Sequence, residues 1–192
     1  MNAWALTVEK YRVRFFDWRV NQSWVVKLIM AAGFAVLIGL AAHVKILTPL
    51  SPVAFSLSTA VVLLGAVLLG RRWGAVAVSI YATMAFLGLP VMTTAVGITF
   101  GYVIGFFASM VIVGYLIDKV GKSRSFWAVF AIMTTASVVI LLCGTLWMWA
   151  WMGTQLSLSA VFGLAFVPFL LTDLLKSVAV AAITTTILPN SK

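Results

Sequence analysis

The chain has 192 residues, of which 64% are hydrophobic and only 9% are charged. Soluble domains carry about 25% charged residues, so this composition excludes a water-soluble fold and a disordered chain. The lone cysteine, Cys143, excludes a disulfide scaffold. Four acidic residues and one histidine are too few for a supported catalytic triad or a polynuclear metal site. We therefore expect an all-α integral membrane protein that is not an enzyme and needs no cofactor.

The spacing of the charged residues predicts six membrane-spanning helices. A helix needs about 20 apolar residues to cross a hydrocarbon core of about 30 Å. Residues 46–70, 73–117 and 125–172 carry no formal charge. The second and third runs are each two spans long, and they are interrupted near Gly88–Pro90 and near 153–157. None of the runs alternates as a barrel strand would. The predicted spans are 25–46, 52–70, 73–90, 98–118, 125–150 and 168–188.

The basic residues predict the orientation of these spans, because cytoplasmic loops are enriched in lysine and arginine. Among the alternate loops only Lys45 is basic. We therefore expect both termini in the cytoplasm and a multi-pass protein of the cell (plasma) membrane. The formal charge of +9 reflects this topology and does not argue for nucleic-acid binding. The basic residues on the predicted inner side are Lys10, Arg12, Arg14, Arg19, Lys27, Arg71, Arg72, Lys119, Lys122 and Arg124.

Residues 1–24 form a predicted cytoplasmic interfacial helix that precedes the six-helix transmembrane domain, 25–192. Aromatic and apolar residues recur there at steps of four and three, so they share one helical face. Most of the basic residues lie elsewhere, which is typical of a helix lying on the lipid of the inner leaflet. The alternative is a frayed basic tail. The residues of this face are Trp4, Val8, Tyr11, Phe15 and Trp18.

Asp173 and Lys176 are the only formal charges well inside a predicted span. A charge at the bilayer centre costs about 2.5–3.5 kcal/mol, so such residues usually face the bundle interior or a wet cavity. Their i, i+3 spacing places both on one helix face. A carboxylate accepts N–H hydrogens and an ammonium donates to a carbonyl. The pair therefore predicts a site for a small ligand with adjacent N–H and C=O groups, such as a cyclic urea. The alternative is an internal ion pair that neutralises itself.

Other polar residues are candidates for the same site. Most of them open spans two and four on the side from which span six enters, and Tyr81 lies within span three. For each, the alternative is a local hydrogen bond or ordinary packing. These candidates are Ser56, Ser58, Thr59, Tyr81, Thr99 and Tyr102.

Span one carries small residues at every fourth position, namely Ala31, Ala35 and Gly39. Small side chains allow helices to approach closely in lipid. The stripe therefore predicts either tight packing within this bundle or docking of a helix from another protein. The sequence leaves both open.

Four motifs, read in order, resemble the BioY family, the biotin-binding S components of energy-coupling-factor (ECF) transporters. Residues 48–59 (TPLSPVAFSLST) resemble the proline-rich start of that family's span two, and 69–75 (LGRRWGA) its following turn. Residues 101–106 (GYVIGF) and 168–176 (PFLLTDLLK) are similar to its spans four and six. The resemblance extends over residues 25–188.

This resemblance implies six helices with both ends inside and the capture of biotin from outside by Asp173 and Lys176. It also implies a transmembrane T component, which the small residues of span one would contact, and two ATPase subunits. Ala54, Ser58 and Phe100 replace a proline, a glutamine and a glycine of the family pattern. The alternatives are therefore an S component for another small carboxylated ligand, such as lipoate, a stand-alone facilitator, or an assembly subunit without a ligand.

Overall fold

The computed structural model describes residues 3–89, 97–119 and 125–189. Pro90, Lys122 and Arg124, used in the sequence predictions, lie outside the described residues. Helices and one hairpin make up the described parts. The elements are α1 Ala3–Asn21, α2 Trp24–His43, β1 Lys45–Thr48, β2 Ser51–Ser56, α3 Ser58–Phe86, α4 Phe100–Lys119, α5 Phe126–Met152, a 3-10 turn Gly153–Gln155, α6 Leu158–Ala165 and α7 Val167–Ile187.

Within the described residues, five helical segments are long and apolar enough to cross a membrane: α2, α3, α4, α5 and the combined stretch Leu158–Ile187. The helical membrane fold expected from the composition is confirmed. The bounds of α4, α5 and α7 fall within two residues of the predicted spans. Gly88 has a positive φ of 67°, which only glycine adopts easily, and lies just after the end of α3 as the predicted interruption requires.

The prediction that span two begins at residue 52 is wrong. Residues 45–56 form an antiparallel hairpin in which Lys45 pairs with Ser56 and Ile46 pairs with Phe55. The helix begins only at Ser58. The strand pairing explains this, because residues 45–56 must stay extended to form the ladder, whereas a proline in the first turn of a helix would be tolerated. For the same reason span one, predicted to reach residue 46, ends earlier, at His43.

Helix α3 is bent sharply at Gly70, where φ is 74° and ψ is 174°. Ser58 near its start and Tyr81 near its end line the same cavity. In a straight helix they would lie about 34 Å apart, so the halves 58–69 and 71–86 fold back on each other. Glycine adopts this positive φ without the steric penalty that other residues meet. The bend therefore lies where the sequence predicts the turn between spans two and three.

Arg19 attaches α1 to this bend. Its Nη1 donates to the carbonyl oxygens of Val67 at 2.9 Å and Leu68 at 3.0 Å. These carbonyls belong to the last turn before Gly70, where they lack a helical N–H partner and where a cation is favoured. The guanidinium also lies 5.0 Å from the ring centroid of Phe16. Burial lowers the pKa of Arg19, and the nearby Asp118 opposes that shift, but arginine remains charged at any ordinary pH.

Helix α1 exposes the aromatic rings of Trp4, Tyr11, Phe15 and Trp18, while Phe16 packs against the main core. That core is formed by side chains of α2, α3, α4, α5 and α7. Four of the five residues of the predicted interfacial face are therefore free to meet lipid. Contact of α1 with a membrane stays a prediction.

We expect Arg19→Gln to lower the melting temperature in detergent by about 2–6 °C. The variant loses two charge-assisted hydrogen bonds that cap the last carbonyls of the first half of α3. Arg14→Gln is the control, since Arg14 is exposed on the same helix. Differential scanning fluorimetry compares the two. Equal melting temperatures of the Arg19 and Arg14 variants would contradict the capping role.

Candidate functional site

A cavity of about 240 Å³ opens at the end of the bundle that carries the hairpin. Its walls come from the last turn of α2, both strands, both halves of α3, the beginnings of α4 and α7, and α5. This volume lies somewhat below the range of about 300–1,000 Å³ typical of ligand pockets, so the cavity is sized for a small molecule at most. The lining residues are Ala42, Lys45, Leu47, Pro52, Val53, Ala54, Ser56, Ser58, Thr59, Tyr81, Thr99, Tyr102, Val103, Phe106, Leu141, Phe169, Asp173 and Lys176.

Every polar side chain proposed from the sequence for the ligand site lines this one cavity. The sequence placed them on four predicted spans, and the fold brings them together. Their role as ligand contacts stays a prediction. No group of three His, Cys, Asp or Glu side chains comes together in residues 3–89, 97–119 and 125–189.

Asp173 and Lys176 form a nearly enclosed ion pair in the cavity wall. The Lys176 Nζ donates to Asp173 Oδ1 at 2.6 Å. The side chains are only 4% exposed for Asp173 and 15% for Lys176. The bond uses one of two carboxylate oxygens and one of three ammonium hydrogens. The ion pair expected as the alternative is thus present, and it leaves both groups able to accept and to donate towards the cavity.

The two tyrosines differ in what their hydroxyl groups do. Tyr102 donates its hydroxyl hydrogen to the Ala165 carbonyl at 2.8 Å. Its ring lies so close to Gly144 that a Cβ there would come within 2.5 Å of it. The Tyr81 hydroxyl has no hydrogen-bond partner among the described residues, and its ring centroid lies 6.4 Å from that of Phe106. Tyr102 is therefore fixed in the cavity wall, whereas the Tyr81 hydroxyl has no acceptor among the described residues, and its contact with a ligand stays a prediction.

The remaining predicted polar residues lie where the hairpin meets α3 and where α4 begins. Ser56 and Ser58 hydrogen-bond to each other through their Oγ atoms at 2.7 Å. Thr59 follows in the first turn of α3, and Thr99 immediately precedes α4. All four residues line the cavity.

Sequence reasoning missed Lys45 and the aromatic wall as parts of the site. The hairpin pairs Lys45 with Ser56 and so brings a second ammonium to the cavity. Its sequence signal was that it is the only basic residue of the predicted outer loops. Phe169 lies 4.5 Å from Phe55 and 6.2 Å from Tyr102, measured between ring centroids. These contacts depend on packing between elements and leave no signal in spacing.

The small-residue stripe of α2 is buried inside the bundle. Ala31 and Ala35 have no exposed surface, and Gly39 is buried too. Ala31 packs in a cluster with Leu69 and Ala77 of α3. This arrangement is the intramolecular packing alternative, and in this conformation the stripe is closed to another protein.

Comparisons with known proteins agree with this architecture. The family model described as the BioY family matches residues 12–192. A protein of Lysinibacillus sphaericus, "Probable biotin transporter BioY", is 32% identical, and the match covers 84% of this chain and 86% of that protein. The "Biotin transporter BioY" of Thermotoga maritima is also 32% identical, over 82% of this chain and 92% of the relative.

A solved structure has a similar fold. It is the crystal structure of the S-component for biotin from an ECF-type ABC transporter. Its TM-score is 0.70 at 20% sequence identity, and the match covers 84% of this chain and 89% of that one. At this identity the likeness establishes the common fold.

Proposed function

The chain belongs to the BioY family, and we propose that it is the membrane-embedded, high-affinity binding subunit of a biotin uptake system. It is a multi-pass membrane protein of a transporter family and not an enzyme. The observation that carries the proposal is the enclosed Asp173–Lys176 pair at the wall of a small-molecule cavity. Relatives that cover most of the chain are named as biotin transporters.

Biotin fits the chemistry of this wall. Its ureido ring presents N–H groups beside a carbonyl, and a carboxylate next to an ammonium offers the complementary acceptor and donor. Asp173 accepts a ureido N–H and Lys176 donates to the ureido oxygen. The low exposure of both groups strengthens these bonds, because little water competes for them. Phe106 and Phe169 supply apolar surface for the fused sulfur ring.

The charges that line the cavity favour a ligand with one carboxylate. Asp173 and Lys176 neutralise each other, while Lys45 adds an unbalanced positive charge. Lys45 is exposed on the hairpin, whereas the ion pair is nearly enclosed on α7, so we assign Lys45 to the carboxylate at the end of biotin's flexible chain. Ser56, Ser58, Thr99 and Tyr81 provide further polar contacts.

We further propose that the cavity opens to the outside of the cell membrane and that both termini are cytoplasmic. Arg71, Arg72 and Lys119 lie at the end of the bundle opposite the hairpin, as the bounds of α3 and α4 require. If both folded-back halves of α3 cross the membrane, the described helices provide six crossings, which supports an even count with both ends on one side. The basic end is then the cytoplasmic one.

Delivery into the cell is assigned to an ECF module of one transmembrane T component and two ATPase subunits. The support is the fold shared with an S component of such a transporter. Contact of the T component through Ala31, Ala35 and Gly39 requires α2 to separate from α3 when the partner binds, because the stripe is buried.

Asp173→Asn and Lys176→Met are each expected to weaken biotin binding at least about tenfold, since each removes a charge-assisted hydrogen bond of about 1.5–3 kcal/mol. Either variant also leaves a buried charge unpaired and so can lose stability. The double variant removes both charges and leaves no unpaired charge in the interior. It therefore separates loss of binding from loss of folding. Isothermal titration of purified protein gives the affinities.

Glu9→Gln is the matched control, because Glu9 forms an i, i+3 ion pair with Arg12 on α1, far in sequence from the cavity. It should bind biotin as the unaltered protein does. Lipoate serves as a competitor that lacks the ureido ring. Unchanged biotin affinity in the folded double variant, or lipoate displacing biotin at equal concentration, would overturn the assignment of the pair to the ureido group.

Lys45→Gln is expected to weaken biotin binding about two- to fivefold, the range of an exposed ion pair. Binding of the neutral biotin amide should not change, because that ligand has no carboxylate for Lys45 to meet. The two affinities are measured by titration of the same preparation. Equal losses for both ligands would show that Lys45 acts on the hairpin rather than on the carboxylate.

Uptake measurements distinguish the ECF subunit from a stand-alone facilitator. In cells without their own biotin uptake or ECF subunits, we expect accumulation of labelled biotin only when a T component and two ATPases are co-expressed with this chain. The chain alone should bind biotin without accumulating it. Accumulation without the energising subunits would support the facilitator. No biotin binding at all would support an assembly role.

A further inference from the structure

A recess of about 160 Å³ lies at the end of the bundle opposite the ligand cavity. It is lined by Arg19 and Val20 of α1, Lys27 and Met30 of α2, and Leu69 and Trp73 beside the α3 bend. Two of its six lining residues are cations and none is acidic. The proposed biotin site uses none of these residues, so the recess requires a separate explanation.

Backbone carbonyls hold both cations in place, and each cation has N–H donors that these bonds do not use. Lys27 Nζ donates to the Val20 carbonyl at 2.7 Å, which turns its ammonium towards the junction of α1 and α2 and leaves two of its three hydrogens. Two of the five guanidinium hydrogens of Arg19 go to Val67 and Leu68. Asp118 lies near enough to interact electrostatically with Arg19. Both side chains thus line the recess and have N–H donors that these bonds do not use.

The position along the helices matches the boundary between headgroups and hydrocarbon. Lys27 is the last charged residue of α2, and no formal charge follows it before the helix ends at His43. Trp73 opens the second half of α3, and indole rings favour this interface. Leu28 and Ile29, which follow Lys27 towards the bilayer centre, are exposed on α2. Cationic donors therefore adjoin a lipid-facing apolar surface.

We propose that this recess binds the phosphate of an anionic phospholipid, with Lys27 and Arg19 as donors and the acyl chains lying along the exposed face of α2. The excess of positive charge favours an anionic headgroup over a zwitterionic one. Basic pockets between membrane helices on the cytoplasmic side recognise such headgroups. A free phosphate would use the same donors but would gain nothing from the apolar surface of α2.

Because Arg19 takes part in both contacts, binding of this lipid would also affect how the helices pack. The same guanidinium that would meet the phosphate caps the carbonyls of Val67 and Leu68 at the bend of α3. The bound lipid would hold Arg19 against the bend and so join α1, α2 and α3 at one point. The recess is a lipid site that stabilises the bundle from the side opposite the ligand.

Native mass spectrometry of the full-length protein tests the proposal, with phosphatidylglycerol and phosphatidylcholine of identical acyl chains. Phosphatidylglycerol should bind preferentially. Lys27→Gln should weaken that binding about fivefold, the value for one basic residue at an anionic surface. Lys10→Gln is the matched control, because it removes the same charge from an exposed position of α1 that does not line the recess. Biotin affinity should be unchanged in both variants.

Three outcomes would overturn the proposal. Equal binding of the two lipids would show that the recess does not discriminate between anionic and zwitterionic headgroups. An equal loss in the Lys10 and Lys27 variants would show a diffuse surface effect and no site. Displacement of phosphatidylglycerol by inorganic phosphate at low millimolar concentration would show a soluble anion to be the occupant. Because biotin affinity is measured on the same samples, failure of the lipid site is distinguishable from failure of the proposed function.

Discussion

An ion pair enclosed within a membrane helix imposes the main constraint on this molecule. Asp173 and Lys176 lie 2.6 Å apart on α7, and both are nearly excluded from solvent. Separating either charge from its partner in such an environment is costly, and burying the pair is tolerated only when the remaining donors and acceptors are also satisfied. The cavity beside the pair gives it polar neighbours and, by our proposal, a ligand that completes its hydrogen bonding.

Two local features of the backbone make that cavity possible. Residues 45–56 pair as a hairpin and do not extend α2 or α3, and this hairpin forms one wall. Gly70 allows the two halves of α3 to fold back, which brings Tyr81 to the same wall as Ser58. Without the bend, Ser58 and Tyr81 of α3 would lie about 34 Å apart. The close approach of Tyr102 to Gly144 then fixes the aromatic side of the cavity.

The two ends of the bundle differ in electrostatic character. At the hairpin end the cavity combines one buried ion pair with a single additional cation. At the opposite end cations predominate, and Arg19 contributes to the structure by capping helix carbonyls at the bend. By our two proposals, a pocket for a solute and a recess for lipid occupy separate ends of one helical scaffold, and α3 lines both.

The sequence by itself determined the membrane class, the approximate helix bounds and the polar residues of the candidate site. These follow from local properties: the length of apolar runs, the rarity of charges inside them and the i, i+3 spacing of Asp173 and Lys176 on one helix face. Tertiary structure decided the hairpin wall, the place of Lys45 beside the cavity and the burial of Ala31 and Ala35 against α3. Those features depend on which elements pack together. A stripe of small residues has the same pattern whether it faces its own bundle or a partner, and only the packing around it distinguishes the two.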